Sequence, residues 1–266
     1  MRTLCTVAGR HGDALWSLAT VRAIAETLGE QVDFCISGKY AGLVPLIRKQ
    51  EYIREAYGEE EWEVLETAPM TPAEPPLIRG GSYDRIIHLS LRAWPSAPTL
   101  AESYWAVAKE QVNGLKALEV ERPWIAPAYR PAYNPDLVVG FSDEWFELKV
   151  GLWDLVNTAL YGGIQALCAH GSRWETETDG TACGWIEMSK QISSAKLFFG
   201  CLSAPWVLAN ALGKKTVIVE PNPNRLNPVF WLESPRNKMV MGGDLKPTFD
   251  ARATVQMIKQ VLGEGE

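Results

Sequence analysis

The first residue able to do chemistry in this chain is a carboxylate beside a glycine. Gly12-Asp13 closes a turn-rich stretch, Ala8-Gly9-Arg10-His11-Gly12-Asp13, between the apolar run Leu4–Val7 and a helical pattern. An aspartate at such a place has two uses. It can cap the helix, where its oxygens accept from free backbone N–H groups at the positive end of the dipole. It can also act as a general base, because taking a proton from a hydroxyl needs one carboxylate within hydrogen-bond reach. A second stretch, Phe199-Gly200-Cys201-Leu202-Ser203-Ala204-Pro205, runs from a strand pattern into a helix start. Small residues there open backbone N–H groups to an anion, so Leu202, Ser203 and Ala204 are candidate phosphate contacts. Ser203 can add a hydroxyl or cap the helix, and Pro205 fits the first turn. A third stretch, Glu220 to Pro228, holds Arg225, whose guanidinium suits bidentate phosphate recognition.

Three histidines, His11, His88 and His170, each adjoin an expected strand end. They lack metal-ligand spacing, so no metal site is expected. His11 and Gly12, with His88, are candidates to line a cleft. His11 or His170 is a candidate contact for a phosphate or sugar hydroxyl. Most of the eleven tryptophans fall in helical patterns and read as core, while Trp94 and Trp174 lie in loops where they could stack on a base or sugar. The glycine-rich dinucleotide fingerprint, the P-loop and the nucleophile-elbow motif do not occur.

These residues need a scaffold, and the order of elements supplies one. The 266 residues are 47% hydrophobic and 22% charged, a globular composition with a net charge of −6. That charge gives no general pull toward nucleic acid or anionic lipid. No apolar run reaches the length of a membrane span, so no stable membrane insertion is expected. Five cysteines with no CxxC pair fit a reducing compartment, and the expected location is cytoplasmic.

Strand and helix patterns alternate twice. In the first half, Leu4–Val7, Val32–Ile36, Ile53–Ala56 and Arg85–Leu89 are expected strands. A helix lies between the first two, ended by Gly29, and another over residues 99–113 is capped by Thr99. Residues 58–82 read as a long loop, and the prolines at 123, 127, 131 and 135 mark a linker. In the second half, Leu137–Phe141, Ile164–Ala169, Lys196–Phe199, Thr216–Val219 and Lys238–Met241 are strand candidates. Helical patterns run from Asp143 to Leu160, Trp185 to Ala195, Pro205 to Leu212 and Ala251 to Leu262. The expected fold is α/β: two Rossmann-like domains, 1–128 and 129–266, with mainly parallel sheets and ligands at the carboxyl ends of the strands.

The chain resembles the heptosyltransferase-like glycosyltransferases of family 9, which have the GT-B fold. The resemblance is carried by Met1-Arg2-Thr3-Leu4, Gly12-Asp13-Ala14-Leu15 and Val21-Arg22-Ala23-Ile24. In the second half it is carried by Ile192–Gly200, Ser203-Ala204-Pro205, Ala209-Asn210-Ala211-Leu212-Gly213-Lys214, and Pro221, Arg225 and Pro228. The chain departs from the family pattern at Leu202 (Asp in the family), Ala204 (Gly) and Val207 (His). Ser142-Asp143-Glu144-Trp145 stands where a K-x-W is usual.

The resemblance implies an enzyme, a hexosyl- or heptosyl-type glycosyltransferase, inverting and metal-independent. Asp13 would be the catalytic base. Leu202, Ser203, Ala204, Arg225 and His170 would face a nucleotide-diphosphate sugar, a co-substrate rather than a bound cofactor. The acceptor would be a glycan, a small molecule or a modified DNA base. The alternatives are a GT-B-like binding protein without catalysis, which suits the apolar Leu202 and Val207, and an epimerase or hydrolase of sugar nucleotides.

Overall fold

The computed structural model describes residues 1–59, 83–91, 97–127, 135–140, 166–169, 183–220, 231–241 and 251–263. The chain divides into two compact units, Met1–Ala126 with Glu177–Ile186, and Pro127–Thr176 with Glu187–Glu266. The long helical pattern expected over 143–160, most of the 58–82 loop and the centre of the expected linker lie outside the described residues, as do Trp94 and Trp174.

The first part of the chain runs β1 (Thr3–Val7), α1 (His11–Leu28), β2 (Val32–Ser37), a 3-10 turn (Gly38–Leu43), α2 (Val44–Ile47), β3 (Ile53–Glu59), β4 (Arg85–His88) and α3 (Leu100–Lys109). Its sheet has the order β3-β2-β1-β4, with every pairing parallel. Every residue of β1 and β2 is buried, as expected of central parallel strands covered on both faces. The edge strands β3 and β4 mix buried positions with half-buried and exposed ones. Gly29 ends α1 in the left-handed region, with φ of 66°, a conformation that glycine adopts without steric strain.

The first residues of the expected linker are part of this unit. Arg22 of α1, 5% exposed, donates to the carbonyls of Pro123 (2.6 Å) and Glu119 (2.8 Å). The Trp124 indole N–H reaches the Leu15 carbonyl, and its ring stacks on Trp16 at 5.7 Å. Tyr52 donates to the Trp124 carbonyl, and the Ala126 N–H donates to Gln50. Residues 119–126 therefore form a strap over α1 and not a free spacer.

The later elements are β5 (Leu137–Gly140), β6 (Ala166–Ala169), α4 (Cys183–Ser194), β7 (Leu197–Gly200), α5 (Ala204–Ala211), β8 (Lys215–Glu220), β9 (Asn237–Met241) and α6 (Ala251–Gly263). The second sheet has the order β6-β5-β7-β8-β9, again all parallel. Alternate residues on one face, Leu137, Val139, Leu197, Phe199, Val217 and Val219, pack with Val255, Ile258 and Val261 of α6. The α6 residues recur at three-residue steps, the spacing of one helix face. The architecture is α/β, as expected from the alternation.

Both sheets reverse their strand order at one place. In the first, β2 lies on one side of β1 and β4 on the other. In the second, β6 lies on one side of β5 and β7 on the other. Such switch points open a crevice at the carboxyl ends of the strands. The turn carrying Asp13 follows β1, and the turn carrying Leu202–Ala204 follows β7, so both candidate stretches adjoin a switch point.

Candidate active site

The chain leaves β1 at Val7, turns through Ala8-Gly9-Arg10 and enters α1 at His11. Arg10 is the N-cap, and Asp13 is the third helical residue. An N-cap role for Asp13 is therefore replaced by a related one, because the helix starts at His11, three residues earlier than that role requires. Its Oδ2 reaches back to accept the Arg10 N–H at 2.9 Å, the acidic half of a capping box.

The other oxygen has a distant partner. The Tyr104 hydroxyl, from α3, donates to Asp13 Oδ1 at 2.9 Å. Gly9 closes the third side. A Cβ at that position would collide with the Asp13 Cβ and lie 2.9 Å from its Cγ and Oδ2. Burial pushes the Asp13 carboxyl above its ordinary value, against the opposing pull of the Arg10 N–H, the Tyr104 hydroxyl and the Arg10 charge. The result is a fixed carboxylate with a strengthened affinity for a proton.

The other first-unit candidates surround this turn. Gly12 lies beside Asp13 in the first turn of α1 and is partly buried. The His11 ring meets the Tyr40 ring edge-on at 4.8 Å. Burial lowers its pKa to about 4, so it is neutral at ordinary pH. His88 ends β4 and pairs in register with Thr6 of β1. Its Nδ1 lies 2.9 Å from Thr6 Oγ1, and the Gln111 side chain bridges both its backbone N–H and its carbonyl. Asp13, Gly12 and His11 thus share one turn, with His88 at the end of the adjacent strand.

In the second unit, Leu202, Ser203 and Ala204 are each partly buried in the turn between β7 and α5. Ser203 is the N-cap, with extended backbone, but its hydroxyl donates to the Cys201 carbonyl at 3.2 Å and caps no helical N–H. Pro205 occupies the first turn, where a missing N–H costs no helical bond. Gly140 and Gly200 pair in register where β5 and β7 end, and a Cβ on Gly200 would collide with the Gly140 carbonyl oxygen. Only glycine permits this close approach of the two strand ends. Val207 is 4% exposed and belongs to the packed side of α5. His170 and Arg225 lie outside the described residues.

A buried polar group holds α5 in place behind this turn. Trp206 donates to Thr216, Thr216 donates to Asn237, and Asn237 donates to both Asn210 and the Leu232 carbonyl, over 2.8–3.1 Å. Among the described residues no cluster of three metal-ligating side chains occurs, and no helix is long and apolar enough to cross a membrane.

Two residues at the first turn escape sequence reasoning. Tyr104 falls on the apolar side of α3 with Leu100 and Ala108, where an aromatic residue reads as core. Its only sequence-level signal is that a buried tyrosine needs a partner for its hydroxyl. Gly9 reads as an ordinary turn glycine.

No protein-family model matches the chain, and no curated protein matches it. Solved structures do. The heptosyltransferase WaaC of E. coli, described with ADP, superposes with a TM-score of 0.70 at 12% identity, covering 98% of this chain and 100% of that one. The E. coli ADP-heptose lps heptosyltransferase II gives 0.61 at 14%, covering 100% and 99%. A family 9 glycosyl transferase from Veillonella parvula gives 0.58 at 10%, covering 99% and 97%. At these identities the likeness is one of fold, and it extends over essentially the whole chain: this is a GT-B-like α/β protein with the architecture of the heptosyltransferases.

Proposed function

We propose that the chain is a glycosyltransferase that moves a sugar from a nucleoside-diphosphate sugar to an acceptor hydroxyl, with Asp13 as the base. The observation that carries this reading is the Asp13 carboxylate. It is fixed by two donors beside the switch point of the first sheet, and burial raises its proton affinity. A base working near neutral pH gains from such a shift. The similarity of fold to a heptosyltransferase described with ADP-2-deoxy-2-fluoro heptose makes ADP-heptose the first donor to test.

In the proposed reaction the acceptor oxygen attacks the anomeric carbon, and its proton passes to Asp13. The bond from that carbon to the diphosphate breaks, and the nucleoside diphosphate departs. Attack opposite the leaving group inverts the anomeric centre. The turn at Leu202, Ser203 and Ala204, with Arg225 and His170, is proposed to neutralise the diphosphate. No metal is assigned to this step.

The test is release of ADP from ADP-heptose, and from a panel of nucleotide sugars, by the wild type and by Asp13→Asn. The expected loss in kcat is about 10²- to 10⁴-fold, the usual contribution of a general base, with the melting temperature retained. The anomeric configuration of the product, read by NMR, tests inversion. Undiminished transfer by the Asp13→Asn protein would remove Asp13 from the role. Binding of a nucleotide sugar with no turnover by the wild type would replace a transferase with a binding protein.

A further inference from the structure

We infer that Tyr104 is a positioning residue for Asp13, its hydroxyl setting both the orientation and the ionisation of that carboxylate. The inference rests on the reading of Asp13 as a base. Tyr104 is 91 residues further along the chain and 1% exposed, and its hydroxyl lies 2.9 Å from Asp13 Oδ1. A hydroxyl withdrawn from water needs an acceptor, and here it takes a charged one.

The grip is three-sided. Tyr104 holds Oδ1, the Arg10 N–H holds Oδ2, and the absent side chain of Gly9 leaves the space into which the Asp13 stem fits. Rotation of the carboxylate would break at least one hydrogen bond. Each oxygen uses one acceptor position on the protein and keeps another for a substrate proton. The backbone donor and the glycine are local to the turn. Tyr104 alone comes from another element, so it ties the base to α3.

The charged and titratable groups around Asp13 are Arg10 from the turn, His11 from α1, Tyr40 from the 3-10 turn and Tyr104 from α3. Arg10 carries a fixed positive charge. Burial keeps His11 neutral, and it raises the pKa values of Tyr40 and Tyr104, so both tyrosines stay protonated. Replacing Tyr104 by Phe therefore removes one donor to the carboxylate and leaves the other charges unchanged.

The test is a ¹³C NMR titration of labelled aspartate in the wild type and in Tyr104→Phe, with the Asp13 signal assigned by its loss in Asp13→Asn. Losing a hydrogen bond to the ionised form should raise the Asp13 midpoint by about one pH unit. Tyr52→Phe, which removes a buried hydroxyl bonded elsewhere, should leave it in place. Thermal melts establish that both variants fold. In transfer assays, Tyr104→Phe should lower kcat about tenfold or more with KM little changed. The acid limb of its pH profile should move up with the carboxyl midpoint. An unmoved midpoint in folded Tyr104→Phe overturns the inference whatever the activity. Full turnover by Asp13→Asn overturns the base reading instead, and the titration distinguishes the two failures.

Discussion

Asp33 sits on β2, and its carboxylate is fully buried between two arginines. Arg2 donates to Oδ2 at 3.0 Å and Arg54 donates to Oδ1 at 2.8 Å, joining the chain start and β3 to β2. Replacing Asp33 with Asn keeps the shape but removes the charge and turns one acceptor into a donor that faces an arginine donor. A hydrogen bond to a charged group contributes about 1.5–3 kcal/mol. The two arginine side chains are 41% and 36% exposed, so water can take over part of their solvation. The loss should therefore stay below the 3–5 kcal/mol typical of breaking a fully buried pair, at about 2 kcal/mol.

For a unit of this size that corresponds to a fall in Tm of roughly 5–10 °C. The pH dependence makes the prediction specific. Burial by itself would raise the Asp33 pKa, but the hydrogen bonds from Arg54 and Arg2, with the Arg54 charge and the Tyr83 hydroxyl, more than offset it and hold the carboxyl below its ordinary value. A depressed folded pKa gives stability that is complete above the unfolded value of about 3.9 and is lost as pH falls through the folded value. The gap between wild type and Asp33→Asn should thus be constant from pH 5 to 7 and close below about pH 4. Calorimetry over that range decides the matter. A gap under about 0.5 kcal/mol at pH 7, or one as large at pH 3 as at pH 7, would refute the reasoning.

Two other substitutions test the site and its support. Gly9→Ala drives a methyl group into the Asp13 side chain, so it should displace the carboxylate and cut kcat by about 10²-fold; steady-state kinetics with an unchanged melting curve would confirm the displacement. Asn237→Ala removes the acceptor of the Thr216 hydroxyl proton and the donor to Asn210 Oδ1 and should destabilise the second unit by about 2–3 kcal/mol, read as an earlier denaturant midpoint with the signal of the first unit unmoved.

Much of the scaffold was legible because its elements carry strong periods. The helical spacing from Leu15 to Leu28 with Gly29 behind it gives α1, and Thr99 caps α3 as expected, accepting the Glu102 N–H at 3.2 Å. The far end of α3 was less legible. The helix stops at Lys109 and does not reach Asn113, while Gln111 turns its side chain onto the His88 backbone. That is a long-range contact with no local signature. The first residues of the expected linker were less legible for a similar reason. Proline spacing suggests a stiff spacer, but Trp124 and Arg22 anchor its first residues to α1. At the candidate site, Gly12-Asp13 announced itself through residue type and position. Tyr104 did not, since its hydrogen bond to Asp13 depends on the packing of α3 beside α1, and a sequence shows only an aromatic residue on an apolar helix face. Ser203 was legible as an N-cap by position, but not in its hydrogen bond to the Cys201 carbonyl.

The strap over α1 has a consequence for the birth of the protein. The last strand of the first sheet ends at His88, whereas the Trp124 ring that covers Trp16 and the Gln50 bond to Ala126 arrive up to 38 residues later. At the usual elongation rate of about 5–20 residues per second, that interval lasts roughly 2–8 s. Through it, the nascent sheet has its four described strands while the indole of Trp16 and the guanidinium of Arg22 lack their final cover. An N-terminal half released at residue 118 would keep that surface open permanently, whereas one released after residue 126 would carry its own seal.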